Sequence, residues 1–356
     1  MPLNDDSNGI IVHAARHGWL IASPYRIVAG WGESSPSPQY DGHIGFASLS
    51  FDGTMTVVYP HTTVSIDASG VHYFGDSTPV HGVHHAPLPS ISLLSDGSDS
   101  YREHVNAALH LVNEGQLEKV VLARPFDAVS SSPVDEGSVA LALRATEPSA
   151  TIYAFPTPSG ERFIGASPEL LLEQHGARIH MQPLAGTAPR GHEDALLGSV
   201  KDRHEHAVMI SNVTERLSER GIEVSVGPLA FRELSSVVHF ATVVTGELPV
   251  DLQDPRDIVS IVHPTAAVAG IPLEVARNAI LDLETDNRGM YAGAVGWIEG
   301  HDNAQWWVAI RGLTVKGNRL RFWAGAGIVT GSTPESELAE TELKFRSVAK
   351  IFPLSA

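Results

Sequence analysis

Two ionisable residues stand at the ends of apolar segments, where they could form an acid–base pair. Lys119 opens the β-branched run 119–123, and Glu169 lies between a Ser-Pro turn and an apolar run at 170–172. Burial would lower the pKa of the lysine, so that it could act as a base, and raise that of the glutamate, so that it could donate a proton. The alternative for each is a solvated strand end, where single charges are usually found.

Two further carboxylates could bind a hard cation. Glu205 belongs to the Lys-Asp-Arg-His-Glu-His segment 201–206, and Glu340 precedes Lys344 by four residues. Two glutamates, completed by substrate oxygens and waters, suit the octahedral preference of Mg²⁺. The alternatives are a solvated helix face at 201–206 and a simple i,i+4 ion pair between Glu340 and Lys344.

Other candidate residues have equally plain structural explanations. Arg311, at the end of the aromatic run 306–311, could bind a carboxylate with both arms of its guanidinium, or form a salt bridge at a sheet edge. Gly325 and Gly327 would allow a ligand close to the backbone, or only tight strand packing. His239 fits a core histidine at least as well as a catalytic one. The histidines at 81, 84 and 85 lie in a predicted loop with no neighbouring carboxylate and make a poor metal site.

Hydrophobic periodicity predicts the elements that would position these residues. Helices are predicted at 101–116 with Ser100 as N-cap, at 199–219, and after Thr333, which would be an N-cap followed by Pro334. Residues 1 to about 95 are predicted to be strand-rich and irregular. Strands are predicted at 119–123, 151–155, 161–164, 170–173, 178–181, 235–248, 293–298, 306–311 and 319–323. Runs of strands with interspersed helices predict an α+β fold with mostly antiparallel pairing.

Composition narrows the functional class. The 356 residues are 43% hydrophobic and 18% charged, as in a globular protein, and contain no cysteine, which excludes thiolate chemistry and fits a reducing cytoplasm. The net charge of -17 argues against nucleic acid or an anionic membrane as a partner. The acidic N-terminus lacks the features of a signal peptide, and no segment approaches the roughly 20 apolar residues of a membrane span. P-loop, Rossmann and HExxH motifs are absent.

Seven segments, in this order, resemble the chorismate-utilising enzymes. They are Lys-Val-Val-Leu-Ala-Arg (119–124), Gly-Ala-Ser-Pro-Glu (165–169), Pro-Leu-Ala-Gly-Thr (183–187), Lys-Asp-Arg-His-Glu-His (201–206), His-Pro-Thr-Ala-Ala-Val (263–268), Arg-Gly-Met-Tyr-Ala-Gly (288–293) and Ala-Gly-Ala-Gly-Ile (324–328). The resemblance implies one chorismate-binding domain over 1–356, with a divergent part of the sheet at 1–95 and a motif-bearing catalytic part at 100–356. It also implies two layered, largely antiparallel sheets, outer helices and a site in the central cleft.

The resemblance also indicates which of the reactions known in the family this chain would catalyse. Family members that add water have a lysine at the position of Lys119, whereas anthranilate synthases, which add ammonia, have glutamine there. Aminodeoxychorismate synthases use a lysine nucleophile where this chain has Ala185. Water addition at C2 of chorismate, with loss of the C4 hydroxyl, is therefore implied, as in isochorismate synthases. The alternative is salicylate synthase, which goes on to eliminate pyruvate, but its members tend to have threonine in place of Ala267. A monomer without an amidotransferase subunit is expected.

Finally, the resemblance implies a role for each site residue. Lys119 would be the base, Glu169 the acid and His239 the residue that orients the ring substituents, while Glu205 and Glu340 would hold Mg²⁺. The implied substrate contacts are Gly186, Thr187, Ala267, Tyr291, Ile310, Arg311, Trp323, Gly325 and Lys344. Of these, Arg311 and Tyr291 would hold the enolpyruvyl carboxylate, with positive potential added by Lys344 and the backbone of Gly325. Ala267, Val268 and Ile310 would form the wall that decides whether pyruvate is retained, and Trp323 replaces a phenylalanine common in relatives.

Overall fold

The computed structural model describes residues 5–39, 42–75, 85–233 and 237–354. The helices within these ranges are α1 (Asp5–His17), α2 (Ser98–Asn113), α3 (Glu136–Thr146), α4 (Glu193–Gly198), α5 (Val200–Ser218), α6 (Pro255–Val262), α7 (Leu273–Leu283) and α8 (Pro334–Ala349). None of these helices is long and apolar enough to cross a membrane.

Strands make up the rest of the framework. They are β1 (Gly18–Ala22), β2 (Ile27–Ser35), β3 (Ile44–Leu49), β4 (Met55–Asp67), β5 (Gly70–Phe74), β6 (Ile91–Ser95), β7 (Lys119–Ser130), β8 (Thr151–Pro156), β9 (Arg162–Ser167), β10 (Leu170–His175), β11 (Arg178–Met181), β12 (Leu184–Pro189), β13 (Glu223–Glu233), β14 (Val237–Glu247), β15 (Gly270–Ile271), β16 (Ala294–Glu299), β17 (Asn303–Val308), β18 (Gly312–Lys316) and β19 (Arg319–Ile328).

These strands form two antiparallel sheets. The first has the order β5-β4-β2-β1-β8-β9-β18-β19-β7, with β6 and β15 both on the free side of β7. The second has the order β4-β3-β16-β17-β10-β11-β14-β13, and β12 pairs with the half of β14 that β11 leaves open. Strand β4 belongs to both sheets, because its beginning pairs with β3 and its remainder with β2 and β5.

The sheets pack face to face, and helices cover the outside. Phe46 of the second sheet meets Phe155 of the first with ring centroids 6.2 Å apart, inside one continuous apolar core. Along β1 and β8 the alternate residues face the other way, into a separate core under α1, α3 and α8. The predicted fold class, α+β with two layered and largely antiparallel sheets, is confirmed.

Most predicted elements are present, and the errors have local causes. Helix α1 was missed, although its buried Ile10, Ile11, Ala14 and Ala15 have helical spacing. Helix α2 begins at Ser98, not after Ser100, because Gly97 takes the left-handed conformation (φ 60°) there. Helix α3 and strands β12, β13 and β18 were not predicted either. Among the predicted strands, β7 continues to 130 and β17 stops at 308 instead of 311, and positions 81, 84 and 234–236 lie outside the described ranges.

Candidate active site

A cavity of about 200 Å³ contains the whole predicted site. Strands of both sheets and helices α5 and α8 supply its walls. The predicted residues on its wall are Lys119, Glu169, Gly186, Thr187, Glu205, His239, Ala267, Tyr291, Ile310, Arg311, Trp323, Gly325, Glu340 and Lys344. Residues more than 200 positions apart in the sequence therefore converge on one small volume.

Lys119 is the first residue of β7, and its side chain is buried rather than solvated. Its Nζ donates to Oε1 of Glu205, on helix α5, at 2.5 Å. The lysine chain lies over Gly327 of the neighbouring β19, where an added Cβ would come within 2.8 Å of Lys119 Cε. Glycine at 327 therefore makes room for the lysine, which gives that residue a function beyond tight strand packing.

Glu169 is buried in the short connection between β9 and β10. Ser167 fixes this turn, since its hydroxyl donates to the Val308 carbonyl at 2.6 Å and accepts from the Glu169 N–H at 3.3 Å. Burial raises the pKa of Glu169 to about 7, against the opposing effects of the Leu184 N–H and of the charge on Lys119. At neutral pH a large share of this carboxyl group carries its proton, which is what a general acid requires.

His239 lies on β14 opposite a bulge in β12, where Gly186 adopts φ 68°. Its Nδ1 lies 3.1 Å from the Gly186 carbonyl oxygen and 3.0 Å from the Thr187 hydroxyl. A carbonyl only accepts, so Nδ1 carries the proton. Burial lowers the pKa of His239 to about 4, so the ring is neutral and Nε2 is an acceptor. Within the described chain this Nε2 is buried without a hydrogen-bond partner, on a ring that lines the cavity.

Arg311 follows β17 in a turn, not in the strand predicted for it. Its φ of 56° is unusual for a residue with a side chain. Ala292 has a similar φ of 60°, and two backbone hydrogen bonds join the turn at Ala292 to the segment just before Arg311. The buried Tyr153 hydroxyl supports the turn by donating to the Ile310 carbonyl at 3.0 Å. Gly312 makes room for that hydroxyl, because a Cβ there would lie 2.4 Å from it.

The guanidinium of Arg311 is available to an anion. Its Nη1 donates to the Ser347 hydroxyl at 3.0 Å, and no carboxylate of the described residues lies within salt-bridge distance of it. Burial lowers its pKa from the usual value, but an arginine keeps its charge. The carboxylates of Glu147 and Glu340 offset its charge only from beyond salt-bridge distance. A carboxylate of a ligand in direct contact would compensate the cost of burying this cation.

Helix α8 presents its predicted pair to the cavity. Lys344 Nζ donates to Glu340 Oε1 at 2.6 Å and to the Gly325 carbonyl at 2.8 Å. Because Gly325 offers its carbonyl here, the positive potential at this wall comes from Lys344 rather than from the Gly325 backbone. A Cβ at 325 would lie 3.2 Å from the Tyr291 hydroxyl, and the Tyr291 ring stacks on Trp323 with centroids 5.5 Å apart.

The donor set fits a divalent cation that is completed by a ligand. Glu205 and Glu340 line the same cavity, and each carboxylate is paired with a lysine ammonium there, Lys119 and Lys344 respectively. In the described part of the chain no three His, Asp or Glu residues are grouped so that they could hold a metal by themselves. Two carboxylates with the remaining positions left to substrate and water match the coordination habits of Mg²⁺.

Sequence reasoning gave no role to a buried ion pair beside the cavity. Arg288 Nη2 lies 2.5 Å from Glu284 Oε1, and the same guanidinium donates to the carbonyls of Val121 and Val268. Glu284 in turn accepts from the N–H of Ala123 at 2.7 Å. The pair thus ties two walls of the cavity together, and the placement of Arg288 within a family-like segment was the available clue. Asp202, which received no role of its own in the 201–206 segment, also lines the cavity.

Together, the fold and the site define an enzyme that combines a buried acid, a buried lysine and an unpaired guanidinium to act on a small anionic substrate. The family model of chorismate binding enzymes matches residues 83–352. The chain belongs to this family.

Comparisons with individual proteins agree with this assignment. The chain is 33% identical over 286 residues to isochorismate synthase DhbC of Bacillus subtilis (strain 168), a match that covers 76% of this chain and 70% of that protein. It is 34% identical over 265 residues to isochorismate synthase EntC of Escherichia coli (strain K12), with 72% and 67% covered. A solved structure of the menaquinone-specific isochorismate synthase MenF of Escherichia coli, 21% identical, shares the fold with a TM-score of 0.86 over 99% of this chain and 92% of that one.

Proposed function

We propose that the protein is an isochorismate synthase, which adds water at C2 of chorismate with loss of the C4 hydroxyl. The observation that carries the proposal is the placement of Lys119 and protonatable Glu169 on the wall of one cavity that also holds the unpaired guanidinium of Arg311. A base, an acid and a carboxylate anchor are the groups this reaction needs. Relatives that are 33% and 34% identical bear the name isochorismate synthase.

Substrate binding is assigned to the positively charged residues of the cavity wall, Arg311 and Lys344. Chorismate carries two carboxylates, and an acidic protein must concentrate positive charge to hold it. Arg311 would bind the enolpyruvyl carboxylate bidentately, with the Tyr291 hydroxyl as a second donor. Lys344 would add positive potential from α8, while Trp323 holds the Tyr291 ring by stacking. The strained turn at Arg311 sets the direction of its side chain before substrate arrives.

Proton transfer is assigned to three residues. Lys119 would act as its neutral amine, after the ammonium paired with Glu205 has lost a proton, and would accept a proton from the attacking water. Protonated Glu169 would give its proton to the departing C4 hydroxyl, which leaves as water. One proton is therefore taken up and one is released, so the reaction needs no external acid or base. His239 lines the cavity and its acceptor Nε2 has no partner among the described residues, so it would accept a hydrogen bond from a substrate hydroxyl and fix the ring orientation.

A magnesium ion is part of the proposal. Glu205 and Glu340 would hold it against the ring carboxylate of the substrate. Bound there, Mg²⁺ would act as a Lewis acid that draws negative charge out of the ring during water attack. Relatives are named vibriobactin-specific and menaquinone-specific isochorismate synthases. Siderophore and menaquinone synthesis are therefore the two candidate pathways for the product.

Salicylate synthase is the second candidate, since it begins with the same reaction. Small or aliphatic side chains at Ala267, Val268 and Ile310 form the wall next to the assigned pyruvate side, and all three line the cavity. Alanine at 267 offers no hydroxyl group there, which favours retention of pyruvate. The cytoplasmic location, the monomeric state and the single-domain organisation over 1–356 stay predictions.

The decisive experiment is to incubate the purified protein with chorismate and Mg²⁺ and to separate the products by chromatography, with EDTA as a control. Isochorismate should accumulate to a partial, reversible equilibrium only when the metal is present. Salicylate and pyruvate in equal amounts would establish the second candidate instead. A requirement for ammonia or a partner subunit would contradict the role of Lys119.

A further inference from the structure

A second cavity, of about 250 Å³, lies behind the catalytic lysine; we call it the rear cavity. Helix α5, the loop before β15 and the turn after β19 contribute to its wall. The residues that line it are Glu118, Lys119, His204, Glu205, Val208, Met209, Ala266, Ile271, Val329 and Thr330. None of the roles proposed above uses this space.

The rear cavity and the active-site cavity share two lining residues, Lys119 and Glu205. Their 2.5 Å ion pair is therefore a thin partition between the two spaces. Beside the pair, Ala185 on the active-site side packs against Met209 and Ala266 on the rear side. A small molecule in the rear cavity would consequently reach Lys119 from the side opposite to the substrate.

The chemistry of the rear wall changes along its length. The outer end has exposed polar residues, with His204 Nε2 3.1 Å from Glu118 Oε1 and Thr330 close by. The middle is lined by apolar side chains, among them Val208, Met209 and Ile271. Such a passage admits a small neutral molecule and disfavours ions, which would lose their hydration without finding a partner.

Water addition creates a supply problem that this passage would solve. A ring with two carboxylate substituents takes up most of a cavity of about 200 Å³, so bound substrate obstructs the front approach to Lys119. We propose that the rear cavity is the route by which the attacking water reaches Lys119 while substrate occupies the active-site cavity. The inference rests on the proposed function, since only a water-adding enzyme needs such a route.

The test narrows the rear cavity from two sides. Val208→Phe adds bulk to its middle and Thr330→Trp to its exposed rim, where folding tolerates a large residue. Ala207→Phe, at an exposed position of the same helix outside both cavities, is the matched control. Both narrowing variants should lower kcat several-fold, with KM for chorismate and the Mg²⁺ titration unchanged, and the control should match wild type.

Chemical rescue of Lys119→Ala measures an activity that a merely structural effect of the narrowing substitutions would not change. The unprotonated form of methylamine should restore part of the activity of Lys119→Ala by entering from the rear, so the rescued rate should follow the concentration of neutral amine rather than that of the methylammonium ion. The rescue should be lost when Val208→Phe is added and kept when Ala207→Phe is added. Equal kcat in wild type and both narrowing variants, or rescue that ignores Val208→Phe, would overturn the inference. A wild-type protein that forms no isochorismate would instead refute the proposed function itself.

Discussion

Glu169 offers the sharpest test of the acid–base assignment, because its pKa predicts both activity and stability. The carboxyl group must be protonated to donate, so kcat should fall as pH rises above about 7. Glu169→Gln keeps the shape of the side chain but has no proton to give. We expect this variant to lose about 10²- to 10⁴-fold in kcat, the usual range for a general acid, and to lose the alkaline decline attributed to Glu169.

The same group makes folding depend on pH in a defined direction. In the unfolded chain it has the ordinary pKa of 4.5, whereas burial raises the folded value to about 7. The folded state therefore binds more proton between these values, and stability falls as pH rises through this window. At about 1.4 kcal/mol per pH unit, the full difference corresponds to about 3 kcal/mol, most of which should be lost between pH 5 and pH 8.

Urea unfolding at pH 5 and pH 8 would measure this contribution in wild type and Glu169→Gln. The glutamine cannot ionise, so the variant should lose less stability than wild type between the two pH values, by about 2 to 3 kcal/mol. The comparison cancels the titration of all other groups. An identical pH dependence in both proteins would mean that Glu169 is not held protonated by burial, and the acid role would lose its physical basis.

Further variants test the base, the metal and the framework. Lys119→Ala should lower kcat by about 10²- to 10⁴-fold, measured by chromatography of products; near-normal turnover would remove the base role. Glu340→Gln should raise the Mg²⁺ concentration needed for half-maximal activity, and an unchanged titration would exclude it as a ligand. Tyr153→Phe should lower the free energy of unfolding by about 1–3 kcal/mol, because the buried Ile310 carbonyl loses its donor. It should also raise KM for chorismate more than it lowers kcat, since Arg311 loses its fixed direction; kinetics showing the reverse would contradict the positioning role.

Local sequence patterns predicted the elements whose signals are local. The N-cap at Thr333 with Pro334 at the first helical position is confirmed. The helix predicted over 199–219 is present as α5, which runs from Val200 to Ser218. Strand β11 has the predicted limits, because its apolar run is bounded by turns on both sides. The predicted cavity residues were found through the seven segments that resemble the family. The sequence of each segment and their order along the chain carry information that single residues lack.

Local sequence patterns could not predict features that depend on residues far away in the chain. Arg311 was placed in a strand because the aromatic run continues to it, yet its turn is held by Tyr153, which lies 157 positions before its hydrogen-bond partner Ile310. The tautomer of His239 depends on the Gly186 carbonyl across a sheet bulge. Likewise, no pattern shows that Lys119 and Glu205 meet, since their contact exists only after β7 and α5 have docked on β19 and β12.

Strand β4 limits how far this protein can be trimmed. The family match begins at residue 83, so a truncated protein that keeps only the matching part would be an obvious choice. Such a fragment would lack β1 and β3, so β8 and β16 would each lose a hydrogen-bonded neighbour, and the strand shared by both sheets would be gone. Unpaired strand edges recruit other chains, so the fragment would aggregate. A minimal catalyst must therefore retain the segment that resembles its relatives least.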